Sequence, residues 1–71
     1  MWYSATTTKM IQKYLNIYSQ IQMHFDVEGN IHRVDLFLEG KWITSPTLAK
    51  QMQLQHVVLP VRQKASILLK R

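Results

Sequence analysis

Cysteine is absent from this 71-residue chain, so disulfides and thiolate metal sites are excluded at the outset. Glycine and proline occur twice each. That leaves no glycine-rich phosphate loop and makes Gly29, Gly40, Pro46 and Pro60 the strongest punctuation available. Acids are scarce as well: four Asp and Glu stand against nine Lys and Arg, for a formal net charge of +5. No apolar run approaches the ~20 residues of a membrane span. The stretch from Met1 to Thr8 lacks the charged start and apolar centre of a secretory signal, and the sequence reads as cytoplasmic. Residues 1–71 are expected to form one domain. A core of that size supplies only ~3–5 kcal/mol. Composition is 46% hydrophobic and 18% charged, which does not fit disorder, so burial against a partner or in a homodimer is expected.

The clearest pattern present is a self-complementary hairpin around Gly29-Asn30, a two-residue turn signal that needs positive φ. With those two residues as the loop, Val27 faces His32, Asp26 faces Arg33, Phe25 faces Val34, His24 faces Asp35, Met23 faces Leu36 and Ile21 faces Leu38. One face collects Ile21, Met23, Phe25 and Val27 against Val34, Leu36 and Leu38. The other carries the Asp26–Arg33 and His24–Asp35 pairs. Turn, two-residue period and cross-strand pairing agree, and a one-residue slip would invert every side chain.

Residues 6–20 carry two periods. Met10, Ile11, Tyr14, Leu15, Ile17, Tyr18 and Ile21 fall at helical spacing, and Thr6-Thr7-Thr8 suits a helix start. Leu15, Ile17, Ser19, Ile21, Met23, Phe25 and Val27 also alternate with polar neighbours. Extended in register, that ribbon sets Ser19 opposite Gly40 and Ile17 opposite Trp42, with Tyr18 beside Lys41 on the polar face. The expectation is a helical or irregular stretch over 7–14 and a long hairpin of strands at about 15–28 and 31–43. Ser45-Pro46 then starts a helix, serine as N-cap and proline in the first turn, with Leu48, Ala49 and Met52 on its apolar face. His56 to Val61 reads as a short strand that Pro60 confines to an edge. Residues 62–71 fit either a strand or a helix. The fold class is α+β.

Chemistry-bearing groups are few. His24 and His32 fall on opposite hairpin faces in this register and His56 is remote, so no metal site is expected. The aspartates have cross-strand partners that explain them without general acid–base work. No serine has a nucleophile context. No cofactor is expected, and the chain reads as a binding protein rather than an enzyme. Thr47-Leu48-Ala49-Lys50, followed by Leu54, resembles the first helix of a helix-turn-helix motif. Gln53 stands where that motif usually has glycine, and Pro60 would interrupt the second helix.

Charge is the more informative signal. Every acid lies within residues 26–39, whereas residues 40–71 carry Lys41, Lys50, Arg62, Lys64, Lys70 and Arg71 with no acid at all. A region of one sign attracts phosphate or an acidic surface. Phe37, on the polar hairpin face, is an aromatic on which a base can stack. These residues point to a small basic nucleic-acid-binding or regulatory protein, of DNA or RNA, whose affinity comes from phosphate neutralisation. The rival expectation is a protein-interaction module, an inhibitor, adaptor or subunit, that uses a hairpin edge or apolar surface.

Overall fold

The structure, a computed structural model, describes residues 5–59 and 65–71. In chain order it comprises helix α1 (Ala5–Ile17), strands β1 (Gln20–Phe25), β2 (Ile31–Leu38) and β3 (Lys41–Thr44), helix α2 (Pro46–Leu54) and strand β4 (Ser66–Lys70). The strands form one antiparallel sheet in the order β3-β2-β1-β4, and the chain is α+β. Both helices pack on one face. Ile21, Met23, Phe25, Ile31, Val34 and Leu36 from the sheet meet Ile11 of α1 and Leu48, Ala49 and Met52 of α2, closed at one end by Val57 and Leu59.

The β1–β2 hairpin forms, shifted by two residues from the expected register. Met23 pairs with Val34, Ile21 with Leu36 and Gln22 with Asp35. The shift is even, so Ile21, Met23, Phe25, Val34 and Leu36 stay on the buried face, whereas Val27 and Leu38 are exposed and Ile31 joins the core in their place. The loop is Val27-Glu28-Gly29 rather than Gly29-Asn30. The Asp26 amide donates to the Asn30 carbonyl at 2.8 Å and the Gly29 amide to the Asp26 carbonyl at 3.0 Å. Asp26 Oδ1 accepts from the amides of Glu28 and Asn30, each at 2.9 Å. Asp26 thus organises its own turn, and the expected Asp26–Arg33 pair does not form. Gly29, at φ 86, is the left-handed residue that completes a three-residue loop. Val27 stands at the tip, fully exposed.

Strand two does not run through to residue 43. It turns at Glu39-Gly40, whose φ values of 52 and 79 meet the requirement of a two-residue type I′ hairpin turn for positive φ at both central positions. Phe37 therefore pairs with Trp42 and Leu38 with Lys41.

Strand one is also shorter than expected, because α1 continues to Ile17. As a helix, this stretch buries Thr7 and Ile11 and packs Met10, Tyr14, Leu15 and Tyr18 against the core, burial that the extended alternative would divide between two faces. Tyr18 stacks on Tyr14, ring centroids 6.3 Å apart, and is not beside Lys41. The buried Thr7 hydroxyl donates to Gln55 Oε1 at 2.8 Å, joining α1 to the end of α2.

Helix α2 is as its sequence suggests: Ser45 Oγ accepts from the Leu48 amide at 3.2 Å and Pro46 opens the helix. The chain then turns at His56, and residues 57–59 run extended along the hairpin loop. The Ile31 amide donates to the Val57 carbonyl at 3.3 Å and the Leu59 amide to the Gly29 carbonyl at 2.7 Å, with one bridge between Asn30 and Val58. No second helix begins there, so the helix-turn-helix resemblance ends at α2; Pro60 and Val61 lie outside the described residues. The alternation near the C-terminus resolves as strand β4, with Met23 opposite Ile67 and Ile21 opposite Leu69.

Candidate functional site

With both helices on one face, no described element covers the other. Strand alternation and pairing arrange that open face in cross-strand rows. One row runs Lys70, Gln20, Phe37, Trp42, and the next Leu68, Gln22, Asp35, Thr44. The third holds Ser66, His24 and Arg33. Trp42 is 48% exposed and meets Phe37 edge to face, centroids 5.0 Å apart and planes at 60°, an arrangement favoured by the ring quadrupoles. A shallow depression lies beside this pair, lined by Gln22, His24, Arg33, Asp35 and Trp42.

Asp35 is the structural node of the face. It is only 7% exposed, and both of its oxygens are engaged. Oδ1 accepts from Arg33 Nε at 3.0 Å and from the Thr44 hydroxyl at 2.8 Å; Oδ2 meets His24 Nε2 at 2.9 Å. Arg33 Nη2 reaches Thr44 Oγ1 at 3.5 Å. The His24–Asp35 contact expected from the sequence is present, though as a diagonal neighbour across β1 and β2 rather than a direct pair. Burial pushes the Asp35 carboxyl up, but hydrogen bonds from Arg33, Thr44 and His24, with the Arg33 charge, outweigh it and hold the group below the ordinary 3.8. A carboxyl depressed in the folded state stabilises the fold fully above its unfolded pKa of about 3.9, and that contribution is lost as pH falls through the lower folded value. Urea midpoints are therefore expected to fall below about pH 4, and Asp35→Asn to flatten that fall while lowering stability at neutral pH. An unchanged acid limb in the variant would show that Asp35 does not carry it.

The basic residues singled out from the sequence do not converge on one patch. Lys70 stands on the open face, in the row of Phe37 and Trp42. Lys41 is exposed at the start of β3, next to Trp42, with alternation turning it to the helix side. Arg71 lies at the same end of the sheet, tied to α1: its amide donates to the Ser19 carbonyl at 3.0 Å and Nη1 to the Asn16 carbonyl at 3.3 Å, a cation at a helix C-terminus. Lys50 is exposed on α2, in the opposite layer. Arg62 and Lys64 lie outside the described residues. Phe37 is on the open face as expected.

Trp42 and His32 are the members that the sequence reading placed on the opposite face; Gln20, Gln22, His24 and Arg33 were on the expected polar face but not among the expected binding residues. Trp42 was obscured by reading strand two through Glu39-Gly40; Leu38-Glu39-Gly40-Lys41, a turn pair between alternating segments, was the signal for it. His32 was obscured by a bulge. Phe25 pairs with Ile31 and His24 with Arg33, so His32 is an extra residue in β2, and His32 and Arg33 are both exposed between the buried Ile31 and Val34. The two histidines thus share the open face, ring centroids 6.4 Å apart. Among the described residues, no group of three or more His, Cys, Asp or Glu is arranged to hold a metal ion, and no helix is long and apolar enough to cross a membrane.

Comparison with protein-family models, with curated proteins and with solved structures finds no match for the chain.

Proposed function

We propose that this protein binds single-stranded nucleic acid, DNA or RNA, on its open sheet face. The observation that carries the reading is the row Lys70, Gln20, Phe37, Trp42 on a sheet surface that no described element covers. An exposed indole braced by a second ring offers a base a stacking surface, and stacking needs bases freed from a duplex. Lys70 supplies a cation in the same row, and Lys41 and Arg71 stand at that end of the sheet. Gln20 and Gln22 add amides that can meet base edges. The excess of positive charge over the whole chain favours a polyanion at long range.

Fluorescence anisotropy of labelled single-stranded oligonucleotides, read at several salt concentrations, tests this. Affinity is expected to fall linearly on logarithmic axes, with a slope that counts phosphate contacts. Trp42→Ala is expected to weaken binding roughly 5- to 150-fold, the equivalent of ~1–3 kcal/mol per stacked base. Equal affinity in Trp42→Ala, or absence of binding at ~50 mM salt, would defeat the reading.

The outer edge of β3 favours a second reading, a protein-interaction module. All four of its residues are exposed, Trp42 and Ile43 among them, and an unpaired edge of this kind accepts a partner strand or a second copy. Such association survives ~0.5 M salt, where exposed charges are strongly screened; the proposed phosphate contacts do not.

A further inference from the structure

The third row of the open face has no role in base stacking, yet it gathers polar side chains. His24, His32, Arg33 and Ser66 meet there over the buried Asp35. The β2 bulge assembles this group by turning His32 to the side that His24 already occupies. Bulges of this kind re-aim side chains next to functional sites. Asp35 fixes two of the members. It holds His24 by Nε2, leaving Nδ1 as the ring nitrogen it does not engage. It also holds Arg33 by Nε, while Nη2 reaches Thr44, so Nη1 is left out of this network. Ser66 pairs with His24 across β1 and β4. The groups on offer to a ligand are therefore hydrogen-bond donors or imidazole nitrogens, on two strands and their neighbour.

We propose that His24, His32 and Arg33 form a phosphate subsite whose grip depends on protonation of the two histidines. The proposal rests on the nucleic-acid reading above and names the second half of the same interface: bases stack in the Phe37–Trp42 row and a backbone phosphate is held in the His24–Arg33 row. Four residues of β2 separate the rows, a distance of about 13 Å along the strand.

Charge counting makes the site conditional. Arg33 and Asp35 cancel as an ion pair, so with both imidazoles neutral the cluster presents no net charge. Each proton taken up adds one positive charge facing the ligand, and imidazoles take up protons between about pH 8 and pH 5. The neighbouring strands do not compensate. β4 contributes Ser66, with Lys70 two rows away, and β3 contributes Thr44 and Trp42. Of the chain's other acids, Asp26 has one oxygen committed to its own loop amides, Glu28 lies exposed in that loop, and Glu39 is in the turn at the far end of the sheet. His56 follows α2, in the other layer.

The test is anisotropy with labelled oligothymidylate that ends in 5′-hydroxyl. Thymine and the phosphodiesters keep their charge across the range, so a pH effect reports the protein. Wild-type affinity is expected to rise between about pH 8 and about pH 5. A phosphate that raises an imidazole's pKa by one unit gives about tenfold tighter binding once that imidazole is charged. The slope against salt should steepen by up to about 1.4, for two added contacts on a single strand. His32→Gln changes an exposed side chain and is expected to remove part of the rise; His24→Gln with His32→Gln is expected to remove it all, so that the ratio of the affinities at about pH 5 and about pH 8 falls to about one. A parallel oligonucleotide with 5′-phosphate distinguishes a terminal phosphate from a backbone one: greater affinity for it at pH 8, lost in the double variant, assigns the site to chain ends. If wild type binds equally at both pH values, or the double variant retains the rise, the subsite is overturned and the stacking interface stands. If oligothymidylate does not bind at either pH, the nucleic-acid reading falls and takes the subsite with it.

Discussion

Replacing Leu48 by alanine is expected to leave the protein largely unfolded at 25 °C. Leu48 is fully buried on α2, between the helix and the sheet. Removing a buried leucine side chain costs about 2–5 kcal/mol, because contacts are lost and the cavity closes only in part. A core in a chain of this size supplies only ~3–5 kcal/mol. The substitution therefore removes most or all of the margin. Far-UV circular dichroism against temperature is the direct measurement. A cooperative transition at the wild-type temperature would mean that α2 is not seated on the sheet as described. Thr47→Ala, one residue away on the exposed side of the helix, is expected to be near neutral, since surface changes of this kind stay within about 0.5 kcal/mol.

Gly29→Ala should be the more damaging of two glycine substitutions that look alike in the sequence. Both glycines have positive φ, 86 at Gly29 and 79 at Gly40. An alanine held in left-handed backbone loses about 1–2 kcal/mol at either position. At Gly40 nothing lies within 4 Å of the added methyl group, whereas at Gly29 it would stand 2.7 Å from the Leu59 carbonyl oxygen. That oxygen belongs to backbone held against the loop by the bond from the Leu59 amide to the Gly29 carbonyl. The segment must move, and Val57 and Leu59 leave the core with it. Urea midpoints of the two variants compared side by side isolate the contact. Equal losses would show that residues 57–59 do not lie against the hairpin.

What was legible in the sequence was local or insensitive to error. Ser45-Pro46 marks the start of α2 because the N-cap bond and the fixed φ of proline act within three residues. The faces of the hairpin could be read from Ile21 to Phe25 and from Arg33 to Phe37 because an even shift of register leaves those side chains on their side, whereas Ile31 and His32 exchange faces at the bulge. The register itself depended on choices that alternation does not encode. The Asp26 carboxylate closes the loop on its own amides, and Gly29 is pinned by Leu59, thirty residues later. Residues 15–17 satisfied both periods, and the helix prevailed because it brings Tyr14, Leu15 and Tyr18 to a core assembled from the rest of the chain. At the site, Phe37 could be assigned to the open face by parity. Trp42 could not, since its partner was set by a turn at Glu39-Gly40 that the reading of one continuous strand concealed.

The bulge in β2 has a consequence for how this surface can change over generations. Without His32, Ile31 would still oppose Phe25, Arg33 would still oppose His24, and Val34 would still oppose Met23, in unbroken alternation. The ladder is complete without it, and the second imidazole sits in the chain as an insertion. Its presence is a matter of chain length: a single-codon deletion would erase one half of the histidine pair and leave every buried residue where it stands. Descendants of this sequence could thus gain or lose the pair in one genetic step, without passing through a disrupted core.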